Sequence, residues 1–276
     1  MMGSLKYRRF RVCVPSQFRS TSTALMASTT AEPTLAIYGH PISQPTRAVL
    51  WLLAVKQLRF RFVRVDPSKG ECATDEYLRK FPAGTIPALE DTSVMVDMDS
   101  SSRPLRMTEG HAILSYLCHA NGWQDWYPYH SPARKANVDM WLHWHHQNTR
   151  LASIRLFGPL MFVGQAPPKG DAHVAKTLKP VFLTMIHGGL KGGTATQPKF
   201  LGGGSAPTIA DIGLYCELDQ LVYLDLFDFA PYPDVVVWMN HMRKLPYHDN
   251  VRGTLVKMAA AQRAKRKDMT NAPSKL

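Results

Sequence analysis

Apolar runs and their breaks divide the chain into a first part with strand signals and a second part with helix signals. Leu35-Ala36-Ile37-Tyr38 is a short continuous apolar run closed by Gly39-His40-Pro41-Ile42, and reads as a buried strand and a turn. From Pro45, the run Ala48 to Val55 reads as a buried helix. Proline suits a first helical position, because its missing N–H would be unpaired there anyway. Phe81 to Asp91 places Ile86-Pro87 between a Gly84 turn and a short strand, where an X-Pro bond is a candidate cis peptide. Such a bond would leave the preceding main chain free to pair with an extended peptide in strand fashion. Thr108 to Leu117 opens another helix, with Thr108 placed to cap it and Glu109 in its first turn. The segment Thr92 to Pro104 is too long for a tight two-residue hairpin and lengthens a strand connection.

Trp123 to Tyr129, aromatic and Pro-containing, reads as a linker. Ser131-Pro132 then opens a long helix reaching about Ser153, with Ala136, Met140, Trp144 and Leu151 at helical spacing as its core stripe. Pro159–Ala166 and Gly188–Gly204 are rich in breakers and read as connections. No Gly-Lys-Ser/Thr follows the glycines, so they form no phosphate loop. Thr208 and Asp211 have capping-box spacing before an apolar helix, and substituting Asp211 is expected to cost about 1–2 kcal/mol. Pro233 to Met239 reads as the last core helix, ending near Lys244-Leu245-Pro246.

Candidate chemistry concentrates at Ser43-Gln44-Pro45-Thr46-Arg47. The Ser43 hydroxyl stands at the positive end of a helix, where free N–H groups and the macrodipole favour an anion such as a thiolate. Together with Ile86-Pro87 and Glu109-Gly110, in this order and spacing, this element resembles the N-terminal half of a glutathione transferase, theta-like by motif. The resemblance covers about Leu35 to Ala260. It implies a fold of α/β plus all-α type, with an N-terminal thioredoxin-like domain followed by an all-helical C-terminal domain. Its boundaries would be a basic extension over 1–33, the thioredoxin-like domain over 34–120, a linker over 121–130, the helical domain over 131–262 and a basic tail over 263–276. It further implies Ser43 as the catalytic serine, and Gln44, Thr85, Ile86, Pro87, Glu109 and Gly110 as glutathione-binding positions. Arg150 would lie in the electrophile pocket; the plain alternative for it is a surface ion pair. Glutathione would be a co-substrate, with no other cofactor, and the partners would be a hydrophobic electrophile and a second copy in a homodimer. Two positions depart from the pattern. Gly110 stands where serine is usual, and Cys72 where theta-like chains often have a histidine that meets the glycyl carboxylate. Both changes remove polar contacts. They favour the alternative of a non-enzymatic binding or assembly module, whereas Ser43 favours a transferase. A thiol-disulfide reductase would require cysteine at position 43.

Composition narrows the picture. The four cysteines, Cys13, Cys72, Cys118 and Cys216, are scattered without a Cys-x-x-Cys pair, which supports neither a zinc ribbon nor a dithiol motif. His143 and His146 share a helical face but lack a companion metal motif, and no metal is expected. No apolar stretch approaches a membrane span. The net charge of +12 comes mostly from two basic ends, at residues 1–31 and 257–276, which carry +5 each and leave the body at +2. That distribution points to tails rather than a nucleic-acid surface. Ser274-Lys275-Leu276 matches a receptor-read peroxisomal address. Peroxisomes are therefore the expected location, with the cytosol second. The Arg- and Ser/Thr-rich start resembles a mitochondrial presequence if residues 1–25 are translated, with Met26 as the alternative start.

Overall fold

The structure, a computed structural model, describes residues 32–98, 101–165 and 172–271. The two terminal segments for which targeting signals are expected lie outside the described residues. The chain forms two compact units that do not follow chain order. The described residues through His40 join Leu58–Glu109 in one, and Pro41–Gln57 joins the segment from Gly110 onward in the other.

The first unit is a four-stranded mixed sheet. It comprises β1 (Leu35–Gly39), β2 (Arg61–Arg64), β3 (Ala88–Met98) and β4 (Ser101–Thr108), in the order β2-β1-β3-β4. β1 pairs parallel with β2 and antiparallel with β3, with Ile37 opposite both Phe62 and Leu89. Two parallel strands need a long crossover, and α1 (Gln44–Val55) lies within that connection. A short helix, α2 (Asp75–Lys80), is capped by the Thr74 side chain. Tyr38, Cys72, Tyr77 and Phe81 pack with Ala36, Val65 and Ala88 into the core of this unit.

The expected long connection between β3 and β4 is not there. The two strands extend through it, with Asp97 opposite Ser102 and Met98 opposite Ser101, so only residues 99 and 100 stand between them. The extra residues lengthen the strands, and a register shift between Asp91 and Met95 absorbs the irregularity. Thr108 does not stand at the position next to the helix. It pairs with Ala88 as the last residue of β4, and Glu109, with φ of 69°, precedes the first helical turn instead of lying in it.

The second unit is helical: α1, α3 (Gly110–Ala120), α4 (Pro132–His145), α5 (Ala172–Met185), α6 (Ile209–Tyr223), α7 (Pro233–Arg243) and α8 (His248–Asn271). α6 is its central element, buried without interruption from Ile209 to Leu221. α5 and α8 add to the elements that the hydrophobic pattern singled out. α4 stops eight residues short of Ser153. Asn148 Nδ2 donates to the Trp144 carbonyl (2.8 Å), and Arg150 N reaches back to His145 O (3.1 Å), one residue beyond the α-helical partner. Such local competition ends a helix, and wider turns follow at Ser153–Phe157 and Pro159–Val163. The buried face of α4 carries Val138, Trp141, Leu142 and His145, whereas Met140 of the expected stripe is 50% exposed. Gly188 belongs to a wide turn at Ile186–Leu190 that extends α5. A Cβ there would lie 2.7 Å from the Trp141 ring, so this glycine is a packing position. No helix among the described residues is long and apolar enough to cross a membrane.

Candidate active site

Ser43 is the N-cap of α1. Its backbone is extended (φ −69°, ψ 125°), its carbonyl accepts Arg47 N (2.9 Å), and its Oγ accepts Thr46 N at 3.4 Å. The hydroxyl is half-buried, and its own proton is not used in that contact. Three buried residues behind it hold the helix in place. Arg47, fully buried, donates to Ile42 O (2.6 Å), to Cys216 O on α6 (2.9 Å) and to Asp219 (3.4 Å). Asp219 also receives Arg252 from α8, so one buried carboxylate serves two buried guanidinium groups. Buried charges of this kind stand only when paired.

Gln44 is also buried. Its Nε2 donates to Gln220 Oε1 (2.7 Å), and its Oε1 accepts from Arg150 Nη1 (3.4 Å). Arg150, half-exposed, is anchored on the buried Glu217 at 2.6 Å. Burial pushes the Glu217 carboxyl up, although Arg150 opposes the shift. Arg150 is thus paired with a buried acid and is not a plain surface ion pair. Gly110 opens α3 directly against Pro45, and a Cβ built on it would lie 2.7 Å from the proline Cβ.

In the first unit Ile86-Pro87 is a cis peptide, as expected. Thr85 is exposed, with its carbonyl held by the Tyr77 hydroxyl at 2.7 Å. Cys72 is buried beside Tyr77, and burial raises its thiol, which disfavours the thiolate. His143 and His146 are exposed. Within the helical unit the structure therefore gathers Ser43, Gln44 and Arg150, and seats Gly110 against the same turn. Sequence reading missed Glu217, Asp219 and Gln220. The signal for them was three polar residues within a helix that is otherwise apolar beyond its Asp211 cap.

A mixed sheet with a cis-proline strand entry, followed by a helical unit, defines a thioredoxin-like domain joined to an all-helical one. The family model described as "Glutathione S-transferase, N-terminal domain" matches residues 33–118. Glutathione S-transferase T1 of Arabidopsis thaliana is 30% identical over 237 residues, which cover 81% of this chain and 90% of that protein. Glutathione S-transferase T2 of the same plant is 32% identical over 236 residues, 80% of this chain. The chain spans only 37% of the length of T2, and likewise of T3. Among solved structures, Bombyx mori glutathione transferase BmGSTD1 matches with a TM-score of 0.68 and 25% identity, covering 84% of this chain and all of that one. The apo form of human glutathione-S-transferase T1-1 shares the fold with a TM-score of 0.66 at 24% identity, over 81% and 90% of the two chains. The chain belongs to the glutathione S-transferase family.

Proposed function

We propose that this chain is a serine-type glutathione transferase that joins the glutathione thiolate to small hydrophobic electrophiles or reduces organic peroxides. The observation that carries the reading is Ser43 at the N-cap of α1, with Oγ receiving a backbone N–H and its own proton left to donate. A free thiol has a pKa of about 8.5, and lowering it by about 2 units takes about 2.7 kcal/mol of preferential thiolate stabilisation. One O–H···S⁻ hydrogen bond and the helix N-terminus together supply energy of that order. The sulfur then attacks the electrophilic carbon, and the leaving group departs with the bonding pair. For a peroxide it attacks the terminal oxygen instead: the O–O bond breaks, the alkoxide leaves and is protonated by solvent, and a second glutathione converts the resulting sulfenic acid to glutathione disulfide and water. Rate comes from anion stabilisation and positioning, with no protein base required. Thr85, Ile86, Pro87 and Glu109 are proposed to hold the tripeptide, as the family resemblance implies.

Conjugation by residues 26–276 with aryl halide, aralkyl halide, epoxide and hydroperoxide acceptors tests the reading. Ser43→Ala is expected to lower turnover about tenfold or more while glutathione affinity persists. Unchanged turnover in that variant removes Ser43 from the role, and an absence of glutathione binding in the parent returns the chain to a binding module. We also propose a homodimer, to be read by light scattering. Ser274-Lys275-Leu276 is proposed as a peroxisomal address, to be read by the distribution of a fluorescent fusion with and without the tripeptide.

A further inference from the structure

Five side chains from three separate parts of the helical unit close a ring. Gln44 Nε2 donates to Gln220 Oε1 (2.7 Å), and Gln220 Nε2 donates to Ser153 Oγ (2.6 Å) and to the Glu217 carbonyl (2.9 Å). Ser153 Oγ donates to Glu217 Oε2, Arg150 Nη1 donates to Glu217 Oε1 (2.6 Å), and the same Nη1 returns to Gln44 Oε1 (3.4 Å). The directions are mutually consistent. Arginine has only donors, so the atom of Gln44 facing it must be the oxygen. The nitrogen of Gln44 must then face Gln220, whose oxygen is left for it because its own nitrogen is spent on Ser153 and Glu217. Gln44, Ser153, Glu217 and Gln220 are all buried. Gln44 is the first residue of α1 and directly follows Ser43.

We propose that Glu217, Ser153 and Gln220 are positioning residues. Through Arg150 and the carboxamide of Gln44 they fix the first turn of α1, and thereby the place of the Ser43 hydroxyl that meets the thiolate. The proposal rests on the reading of Ser43 given above. It also changes the part played by two residues. Gln44 becomes a buried tether, and Arg150 becomes the link between that tether and a buried anion. Burial makes the arrangement stiff, because in a low-dielectric interior each missing partner leaves a polar atom that water cannot reach.

The test pairs a ligand-free measurement with a kinetic one. Gln220→Met keeps the shape and the Glu217–Arg150 pair but takes away the partner of Gln44 Nε2. Glu217→Gln removes the anion, and Asp211→Asn, outside the ring, supplies a destabilised control. Amide hydrogen exchange is followed over residues 44–48 in each protein without ligand. The pH dependence of turnover at saturating glutathione is followed alongside. Gln220→Met is expected to speed exchange in residues 44–48 about tenfold and to raise the apparent pKa of the bound thiol by about half a unit to one unit. Turnover should recover above that pKa, and Asp211→Asn should lower thermal stability without either effect. Unchanged exchange in Gln220→Met overturns the ring. Faster exchange with an unmoved pH profile overturns the positioning role and leaves only a structural one. Should the parent protein fail to turn over glutathione, the proposed function falls, while the exchange data still decide whether the ring holds the helix.

Discussion

Position 110 carries no side chain because Pro45 occupies the space. The resemblance suggests that serine there would restore a lost hydroxyl contact. The geometry gives the opposite expectation, since a Cβ would meet the Pro45 Cβ at 2.7 Å. Gly110→Ser should destabilise by about 1–3 kcal/mol, as overpacking does, without improving glutathione affinity. Thermal denaturation and a binding titration read the two quantities separately, and tighter binding at unchanged stability would contradict the argument. Ser43 was legible from the sequence because capping is local, with the hydroxyl and the N–H it accepts three residues apart. Gln220 as the partner of Gln44, and Glu217 as the partner of Arg150, were not legible, because these hydrogen bonds span 176 and 67 residues.

The same contrast holds for whole elements. The capping box at Thr208 and Asp211 was readable and is present. Its strength was not readable. Asp211 Oδ1 also accepts Leu201 N (2.8 Å) and Trp238 Nε1 (3.0 Å), while Oδ2 accepts Thr208 N (2.8 Å) and Thr208 Oγ1 (3.0 Å), all within the core. Removing the carboxylate orphans buried donors on three segments. Asp211→Ala should therefore cost about 3 kcal/mol or more, beyond the value for a cap alone. Urea unfolding measures it, and a loss near 1 kcal/mol would mean that the loop and Trp238 find other partners. α8 escaped the pattern analysis for a related reason. Its buried positions include Arg252 among Leu255 and Ala259, so a charge lies where an apolar residue would have given the signal. The β3–β4 hairpin was misjudged because Thr92 to Pro104 holds many serines and aspartates. Such composition reads as loop, yet here it forms a solvated strand pair.

Charge at the scale of the molecule gives a pH dependence. His111 and His145 lie with ring centroids 4.6 Å apart, and burial lowers both, His111 to about 4, with His146 adding to the effect. The unfolded chain takes up these two protons near pH 6.5, and the folded chain does not. Stability is therefore fully present above pH 6.5 and is lost as pH falls toward 4. The slope is about 1.4 kcal/mol per pH unit for each histidine. Asp211 and Glu217, raised by burial, act in the opposite sense at the acid end. Unfolding midpoints between pH 7.5 and 5 should decline, with a shallower decline in His145→Asn. A flat profile would place protonated histidines in the folded state.

Arg47 carries a further consequence. This buried cation, in the segment that bears the proposed catalytic serine, has its counter-ion on α6, and that carboxylate is shared with Arg252 on α8. In the structure the segment Pro41–Gln57 that carries this arginine belongs to the helical unit and not to the sheet unit. Replacing the later helices of that unit leaves Arg47 buried without its counter-ion unless the replacement brings an acid at the position of Asp219. A chimera cut between α3 and α4 therefore keeps this arginine paired only where its donor supplies that acid, so the serine end depends on a charge far along the chain.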